Sequence, residues 1–290
     1  MTPEPTVPES LTGISATAFA VALLRAQESD RSDRLFADPY ARHFLRAVDP
    51  AVSPWAAQSS PETRSFVRMM AGQVAVRTRF LDRALLEAVE QGCEQVVLLA
   101  AGMDARAYRL AWPAGATVFE LDFADVLSFK SAVLGGAGAE PACHRVEVAT
   151  DLREDWPRAL AESGFDPGRP AAWLAEGILY ALPPEAADRL LDRITAVSAP
   201  GSVLALDHGT DSALFREARA AISAELVALW RGGPAERLDT WLARRGWRPA
   251  VCDVVEVAAG YGRPAPPAFD PADPRAGHGW LATARLPSGH

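Results

Sequence analysis

One stretch of the sequence, residues 95–130, constrains the fold more than any other. It opens with the apolar run Gln95–Ala100, passes through a turn of small residues and enters a helical pattern. A second apolar run, Thr117–Leu121, ends on Asp122, twenty positions after Gly102. This order is typical of a strand–turn–helix–strand unit with an acid at the tip of its second strand. Parallel sheets use such a unit to bind the ribose of an adenosyl cofactor.

After Gly92, short apolar runs alternate with helical patterns, which predicts an α/β fold built on a parallel sheet. Seven strands are predicted: Gln95–Ala100, Thr117–Leu121, Arg145–Ala149, Ala171–Ala175, Ser202–Leu206, Pro249–Cys252 and Gly279–Leu286. The predicted helices between them include Ala105–Leu110, Phe123–Leu134, Asp155–Ser163, Pro184–Val197, Asp211–Trp230 and Arg237–Arg245. Because a proline-rich loop over residues 262–277 joins the last two strands, we expect those two to pair antiparallel.

The residues before Gly92 carry helical periodicity instead. Two helices are predicted over Ser15–Gln27 and Arg34–Val48, and a third begins at a capping signal next to Pro61 and runs to Glu90, with a possible break at Gly72. The expected organisation is a disordered tail at 1–10, a helical region at 11–92 and a sheet-bearing core at 93–290.

Composition excludes several classes of function. The net charge of −8 and the pI of about 5.2 argue against nucleic acid as a partner, because phosphate binding needs a basic surface. The three cysteines are scattered and form neither a disulfide framework nor a metal site, which favours a cytoplasmic protein. Residues 1–10 lack the basic and apolar regions of a signal peptide, so we expect none there, and no apolar run reaches the length of a membrane span. Nothing in the pattern indicates an oligomeric state.

The turn after the first strand indicates which cofactor fits. Gly102 is its only glycine, and Ala101-Gly102-Met103-Asp104-Ala105-Arg106 lacks the spacing G-x-G-x-x-G. A dinucleotide needs those glycines to bring its pyrophosphate to the helix. The turn therefore favours an adenosyl group without phosphates, although Gly102 alone could also be an ordinary turn residue.

Acidic residues follow three predicted strands. Asp122 could accept hydrogen bonds from both ribose hydroxyls, or it could cap the next helix. Asp151 with Leu152 could contact an adenine, or could begin a helix. Glu176 follows an apolar strand, so a cationic ligand or a buried pair with an arginine would stabilise it.

Two basic groups are further candidates. Arg77 or Arg79, on the helix before the first strand, could bind a carboxylate in a bidentate manner, or both could lie on a solvated face. His208 ends the fifth strand behind Asp207 and could act as a general base, or could be a surface histidine. The other histidines are isolated, and no metal-ligand spacing is present.

A combination of segments between about Thr12 and Arg285 is specific for one protein family, whereas no single segment is. They are Val96–Leu110, Ala37–Ala41, Val76–Asp82, Glu120–Asp122 with Lys130, Ala175–Leu179 with Leu182–Pro184, Gly246-Trp247 and Tyr261–Pro264. Together they resemble the leucine carboxyl methyltransferase family, and more narrowly its bacterial branch of S-adenosylmethionine-dependent methyltransferases.

The resemblance implies a Rossmann-like, seven-stranded class I methyltransferase sheet with an N-terminal helical lid region. It also implies roles for residues that bind S-adenosylmethionine. Arg77 would bind the methionine carboxylate, Ala101 and Gly102 would line the amino-acid moiety, and Asp122 would bind the ribose. The adenine would lie on Asp151 and Leu152, and Glu176 would also contact the cofactor.

Two positions depart from the family pattern. The bacterial branch often has tyrosine where this chain has Ala181, with Tyr180 one position earlier, and eukaryotic members have a lysine about where Thr17 stands. Both positions are expected to border the acceptor, so the chain need not share the protein-tail substrate of the eukaryotic enzymes. Tyr180 and His208 are the candidate catalytic residues.

The predicted function is an O-methyltransferase that acts on a carboxylate of a small metabolite, with a role in secondary metabolism. A carboxylate is ionised at neutral pH and needs no base. One alternative is a hydroxyl acceptor with His208 as base. Two others are a non-catalytic S-adenosylmethionine-binding regulator and a nicotinamide-dependent oxidoreductase, against which the missing glycines speak.

Overall fold

The structure, a computed structural model, describes residues 16–48, 60–222 and 224–287. It contains a seven-stranded sheet in the order β3-β2-β1-β4-β5-β7-β6. The strands are β1 (Gln95–Leu99), β2 (Thr117–Asp122), β3 (His144–Ala149), β4 (Ala171–Ala175), β5 (Val203–Gly209), β6 (Arg248–Asp253) and β7 (Gly279–Arg285). The predicted α/β class and the seven predicted strands are confirmed. The predicted tail at 1–10 lies outside the described residues.

Eleven α-helices are found among the described residues. They are α1 (Ala16–Ser29), α2 (Ala41–Arg46), α3 (Pro61–Glu90), α4 (Arg106–Arg109), α5 (Ala124–Gly136), α6 (Trp156–Glu162), α7 (Pro184–Ala196), α8 (Ala213–Ala220), α9 (Ala224–Ala228), α10 (Leu238–Ala243) and α11 (Val254–Gly260). Two 3₁₀ turns, Leu179–Ala181 and Pro267–Phe269, complete the set. None of the described helices is long and apolar enough to cross a membrane.

The two central strands, β1 and β4, are apolar except for Gln95 because helices cover both faces of the sheet. Every residue of β1 and of β4 is buried. Alternate residues of β1 serve opposite faces: Val96 and Leu98 join the core under α1 and α3, whereas Val97 and Leu99 join the core on the other face. The helical region at the N-terminus therefore shares a core with the sheet.

The last strand runs against its neighbours, as predicted. β7 pairs antiparallel with β5, through Leu204 and Ala284, and with β6, through Val251 and Ala282. The other strand pairs in the sheet are parallel. From β1 the chain adds β2 and β3 on one side of the sheet and then β4 and β5 on the other, so the strand order reverses between β1 and β4. Open α/β sheets bind ligands at such a point, beyond the carboxyl ends of the strands.

Four helix predictions differ from the structure. α3 continues through Gly72, which packs against Pro266, so the predicted break is absent. The predicted helix over residues 34–48 shortens to α2, since an Asp38 turn precedes it. The predicted helix over residues 211–230 is divided between α8 and α9. α11 was not predicted, because it follows β6 without a spacer, with Asp253 serving as both strand end and helix cap.

Candidate cofactor and acceptor site

A cavity lies beyond the carboxyl ends of β1, β2, β4 and β5, at the reversal of the strand order. Residues of α1 and α3 cover it from the other side. Two groups of side chains lie in the cavity wall or directly behind it. The charged cluster comprises Arg25, Arg77, Asp104, Arg106, Glu176 and Asp207, and the aromatic cluster comprises Phe66, Tyr180, Phe215, Arg219 and Trp230. All of them except Arg106 line the cavity directly.

The turn after β1 brings backbone close to the cavity. Ala100 has φ +52° and Gly102 has φ +45°, both in the left-handed region that favours glycine. A Cβ atom at Gly102 would lie 3.2 Å from the Cβ of Ala18 on α1. Glycine at this position therefore serves both the backbone conformation and the close approach of α1.

The carboxylate of Asp122 accepts two backbone hydrogen bonds at the end of β2. The Gly102 N–H donates to one oxygen at 2.7 Å and the Phe123 N–H donates to the other at 2.8 Å. Burial raises the pKa of Asp122 above its ordinary value, and these two N–H groups partly oppose that rise. Each oxygen keeps a further lone pair, so the carboxylate can still accept from a ligand that lies in the cavity.

Glu176 is the centre of the charged cluster. Its carboxylate lies 2.6 Å from Arg106 Nη1, 2.9 Å from Arg25 Nη2 and 3.0 Å from Arg77 Nε. Burial alone would raise the pKa of Glu176, but Arg106, Arg25 and Arg77 hold it well below the ordinary value. The alternative that we considered for this acid, a buried pair with an arginine, is thus present with three arginines.

A second layer of acids neutralises the arginines behind Glu176. Asp82 accepts from Arg106 Nε at 2.7 Å and from Arg109 Nη1 at 2.6 Å, and Asp104 pairs with Arg106. Burial would raise the pKa values of both acids, but the arginines hold them below normal. Pairing of this kind is what allows several charges to stay buried together.

Arg77 is the arginine of α3 that faces the cavity, whereas Arg79 is exposed. Its Nη1 donates to Asp207 at 3.1 Å, and the Gly177 N–H donates to the other oxygen of Asp207 at 2.6 Å. Gly177 has φ +67° and lies against the guanidinium. Arg77 therefore bridges the ends of β4 and β5 through Glu176 and Asp207.

Asp151 and Leu152 lie at the same edge of the sheet but outside the cavity wall. They follow β3, whose last residue pairs with Asp122. The carboxylate of Asp151 is engaged by Arg153, which lowers its pKa. No helix begins at Asp151; α6 starts at Trp156.

His208 and Tyr180 both line the cavity. Burial lowers the pKa of His208, with Asp207 opposing, and its Nδ1 has no hydrogen-bond partner in the described part of the chain. A Cβ at Gly233 would lie 2.6 Å from Cε1 of His208, so that edge of the ring packs on backbone. Burial raises the pKa of Tyr180, which a hydrogen bond with Thr17 partly opposes.

Several wall residues escaped the sequence analysis. Apart from Tyr180, the aromatic cluster was missed, because Phe215, Arg219 and Trp230 fit the pattern of one ordinary amphipathic helix. Arg25 was also missed, although a lone arginine inside the apolar pattern of α1 is a sign of a buried charge with a partner. Arg106 lies in the segment 101–106 that follows β1, but its sequence position indicated no role.

Comparisons with known proteins agree with this geometry. A family model for leucine carboxyl methyltransferase matches residues 18–195. A relative from Parafrankia sp. (strain EAN1pec) is 44% identical over 257 residues, covering 88% of this chain and 83% of that protein. One from Mycolicibacterium vanbaalenii is 43% identical over 282 residues, covering 90% and 91%. Both are named as S-adenosyl-L-methionine-dependent methyltransferases.

Solved structures show the same fold. That of a methyltransferase from Thermobifida fusca superposes with a TM-score of 0.56 at 19% identity, covering 97% of this chain and 98% of the other. A DUF574 family protein from Streptomyces avermitilis gives a TM-score of 0.56 at 17% identity, covering 90% and 99%.

The cavity fits S-adenosylmethionine in three respects. Asp122 has spare lone pairs for hydroxyl groups, Gly102 leaves room beside the turn, and the charged cluster offers both signs of charge to an amino acid. The family match covers more than half of the chain, and the relatives span most of it. The chain therefore belongs to the leucine carboxyl methyltransferase family and is an S-adenosylmethionine-dependent methyltransferase.

Proposed function

We propose that this enzyme transfers the methyl group to a carboxylate oxygen of a small acceptor, rather than to a hydroxyl group. The observation that carries the proposal is the state of Asp207 and His208. Asp207 is engaged by Arg77 and by the Gly177 N–H, so it does not orient the neighbouring imidazole. A general base is normally held by such a third group. A carboxylate acceptor makes that arrangement unnecessary, because it is already ionised at neutral pH.

In this proposal the charged cluster and its surroundings hold the cofactor. Arg77 binds the methionine carboxylate, and Ala101 and Gly102 line the amino-acid moiety. Asp122 accepts from the ribose hydroxyls, and Glu176 contacts the cofactor from β4. Asp151 and Leu152 contact the adenine, for which Asp151 has to release Arg153, an exposed partner that costs little to displace.

The cofactor supplies a methyl group on a positively charged sulfur, an already activated leaving group. The protein then has to align the acceptor oxygen with that carbon and exclude water. The apolar residues of α1 and α3 that cover the cavity, among them Ala20, Leu24 and Met70, are suited to exclude water. Tyr180 and Thr17 form part of the acceptor wall.

A small metabolite suits the site better than a protein tail. Helices α1 and α3 cover the cavity, and the aromatic cluster narrows it on the acceptor side. We assign the enzyme to secondary metabolism on this ground. The free cysteines Cys93, Cys143 and Cys252 support a cytoplasmic location, where thiols stay reduced.

The proposal is tested by following a labelled methyl group. The enzyme is incubated with S-adenosylmethionine that carries a ¹³C-labelled methyl group and with a library of carboxylic acid and phenol metabolites. Products are read by mass spectrometry before and after mild alkali. A methyl ester loses the label in alkali, whereas a methyl ether keeps it. Alkali-stable label in every product would contradict carboxylate methylation.

A hydroxyl acceptor with His208 as base is the second candidate. It is favoured by one observation: His208 lines the cavity, and its Nδ1 has no hydrogen-bond partner among the described residues. Burial lowers the pKa of His208, which favours the neutral ring. If it is the base, His208→Gln should lower kcat by about 10²–10⁴-fold and remove the acidic limb of the pH profile. If the acceptor is a carboxylate, the same substitution should lower kcat less than tenfold.

A further inference from the structure

The aromatic cluster forms a flat-sided wall of the cavity. Tyr180 and Trp230 are stacked, with ring centroids 5.1 Å apart and an interplanar angle of 22°. Phe215 meets Trp230 edge-on at 5.3 Å, and Phe66 lies 5.8 Å from Phe215. Aromatic surfaces of this kind favour flat rings, which can stack or meet them edge to face.

Arg219 is the one basic member of that wall. It is only 4% exposed, and its guanidinium lies 4.8 Å from the ring centre of Phe215 and 4.9 Å from that of Trp230. Its Nε donates to the carbonyl of Phe215 at 3.3 Å, and its Nη2 pairs with Asp211. Its Nη1 is buried and has no hydrogen-bond partner among residues 16–48, 60–222 and 224–287.

The charge around Arg219 is not balanced as it is in the charged cluster. Asp211 is shared, since Arg216 Nη1 lies 3.5 Å from its second oxygen. Two arginines thus face one carboxylate. In the charged cluster, by contrast, Arg77 alone has both Glu176 and Asp207 as partners. A buried N–H without a partner is unfavourable, so the spare nitrogen is suited to an anionic group on a ligand.

We propose that the acceptor is a flat aromatic carboxylic acid, whose ring packs on Trp230 and Phe215 and whose carboxylate accepts from Nη1 of Arg219. The inference rests on the proposed function, and it names the acceptor class for that function. Because Nε and Nη2 are already engaged, only one nitrogen is available, and it binds one carboxylate oxygen. The second oxygen is left free to react.

The reaction then balances without a proton transfer. The free oxygen forms a bond to the methyl carbon, the carbon–sulfur bond breaks, and its electron pair stays on sulfur as S-adenosylhomocysteine forms. The acid becomes a neutral ester. Its loss of charge weakens the contact with Arg219, so the wall binds substrate more tightly than product.

Calorimetry on the enzyme saturated with S-adenosylhomocysteine tests the inference through binding alone. The probes are 2-naphthoate, its neutral amide 2-naphthamide, and the puckered acid decahydro-2-naphthoate. We expect 2-naphthoate to bind at least tenfold more tightly than either of the others. Arg219→Gln should remove the preference for acid over amide, and Trp230→Leu should remove the preference for the flat ring. The control, Glu217→Gln on the exposed face of the same helix, removes a pair with Arg275 away from Arg219 and should keep both preferences within twofold.

Two results would overturn the inference: equal affinity of the wild type for 2-naphthoate and 2-naphthamide, or an unchanged acid preference in Arg219→Gln. Circular dichroism checks the fold of each variant. If Arg219→Gln does not fold, Arg219→Lys replaces it, and we expect at least a fivefold loss of 2-naphthoate affinity because an ammonium cannot stack as the planar guanidinium does. Tight 2-naphthoate binding together with alkali-stable methylation products would contradict the proposed function and leave the inference standing.

Discussion

The charged cluster and the aromatic cluster share one cavity but are built on different principles. In the charged cluster, Glu176 lies within 3.0 Å of three arginines. Each of them has a further acidic partner, which is Asp104 for Arg25 and Arg106 and Asp207 for Arg77. In the aromatic cluster, ring contacts of 5.1–5.8 Å surround a single arginine with a spare nitrogen. In the first, acids and arginines balance one another, although Arg25 Nε, Arg77 Nε and Arg106 Nη2 lack hydrogen-bond partners in the described residues. In the second, Arg219 shares its acidic partner with Arg216 and offers its spare nitrogen to a ligand.

This difference shows how one fold can keep the same methyl donor while the methyl acceptor varies. The charged cluster ties α1, α3, β4 and β5 together, so a change in it alters several elements at once. The aromatic cluster lies mainly on α8 and the segment that follows it, and only Tyr180 and Phe66 come from elsewhere. Changes there alter one wall of the cavity and leave the sheet intact.

The largest effect that separates the two clusters is on stability. Glu176→Ala should lower the free energy of unfolding by about 3–5 kcal/mol, because it leaves buried arginines without their shared partner. The surface control Glu94→Ala, which removes an exposed pair with Arg169, should cost at most about 1 kcal/mol. Urea unfolding followed by circular dichroism measures both. A loss under 1 kcal/mol for Glu176→Ala would mean that the charged cluster does not hold the fold together.

The next effect is on cofactor affinity. Asp122→Asn should weaken S-adenosylhomocysteine binding by about 100-fold, because charge-assisted hydrogen bonds to the ribose contribute roughly 1.5–3 kcal/mol each. Calorimetric titration gives the dissociation constants. Asp125→Asn, in the first turn of α5, is the matched control and should change affinity less than twofold. Equal losses in the two variants would place the ribose elsewhere.

The charged cluster, together with Asp82 behind it, should also set the response of stability to acid. Glu176, Asp82 and Asp104 have lowered pKa values in the fold, so the unfolded chain binds protons more readily than the native state. Their contribution is present above the ordinary values of 3.8–4.5 and is lost as the pH falls through the lowered ones. Each group contributes a slope of roughly 1.4 kcal/mol per pH unit in that window.

We therefore expect the free energy of unfolding of the wild type to fall steeply below about pH 4.5, in urea titrations at a series of pH values. Glu176→Gln should show a shallower fall, since one of the three acids no longer titrates. The aromatic-cluster variant Trp230→Leu should keep the wild-type slope. A Glu176→Gln slope that matches the wild type would show that this acid is not ionised by its arginines.

The smallest effect concerns the turn beside the cofactor. Ala100 holds φ +52°, a conformation that costs an L-residue about 1–2 kcal/mol. Ala100→Gly should remove that strain, and after the entropy of the unfolded glycine is subtracted it should gain about 0.5–1 kcal/mol. Thermal unfolding should show a rise of a few degrees. Ala101→Gly, at a buried neighbour without positive φ, should instead destabilise, and a gain there would contradict the strain argument.

Much of the fold could be predicted because its signals are local. The strands follow from short apolar runs between helical patterns, and β1 and β4 were predicted closely since both faces of each are buried. α11 could not be predicted from such signals, because Asp253 ends a strand and caps a helix at the same residue. The continuity of α3 depends on the packing of Gly72 against a distant proline.

The residues of the cavity wall were predicted mainly where strand ends carry them, with Arg77 on α3 and Tyr180 as exceptions. Gly102, Asp122 and Glu176 follow strands that the sequence marks clearly. Arg25 could not be assigned a partner, because 151 residues separate it from Glu176. The contact between Tyr180, which was a candidate, and Trp230 could not be predicted for a similar reason: the two rings stack across fifty positions of chain.

The most direct test of the account is whether the two clusters bind separate ligands. The measurement is the affinity for S-adenosylhomocysteine of the double variant Arg219→Gln, Trp230→Leu, compared with the wild type by calorimetry. We predict that the two affinities agree within twofold, while 2-naphthoate binding to the loaded variant is lost. A loss of S-adenosylhomocysteine affinity as large as that of Asp122→Asn would contradict the account, because the aromatic cluster would then be part of the cofactor site.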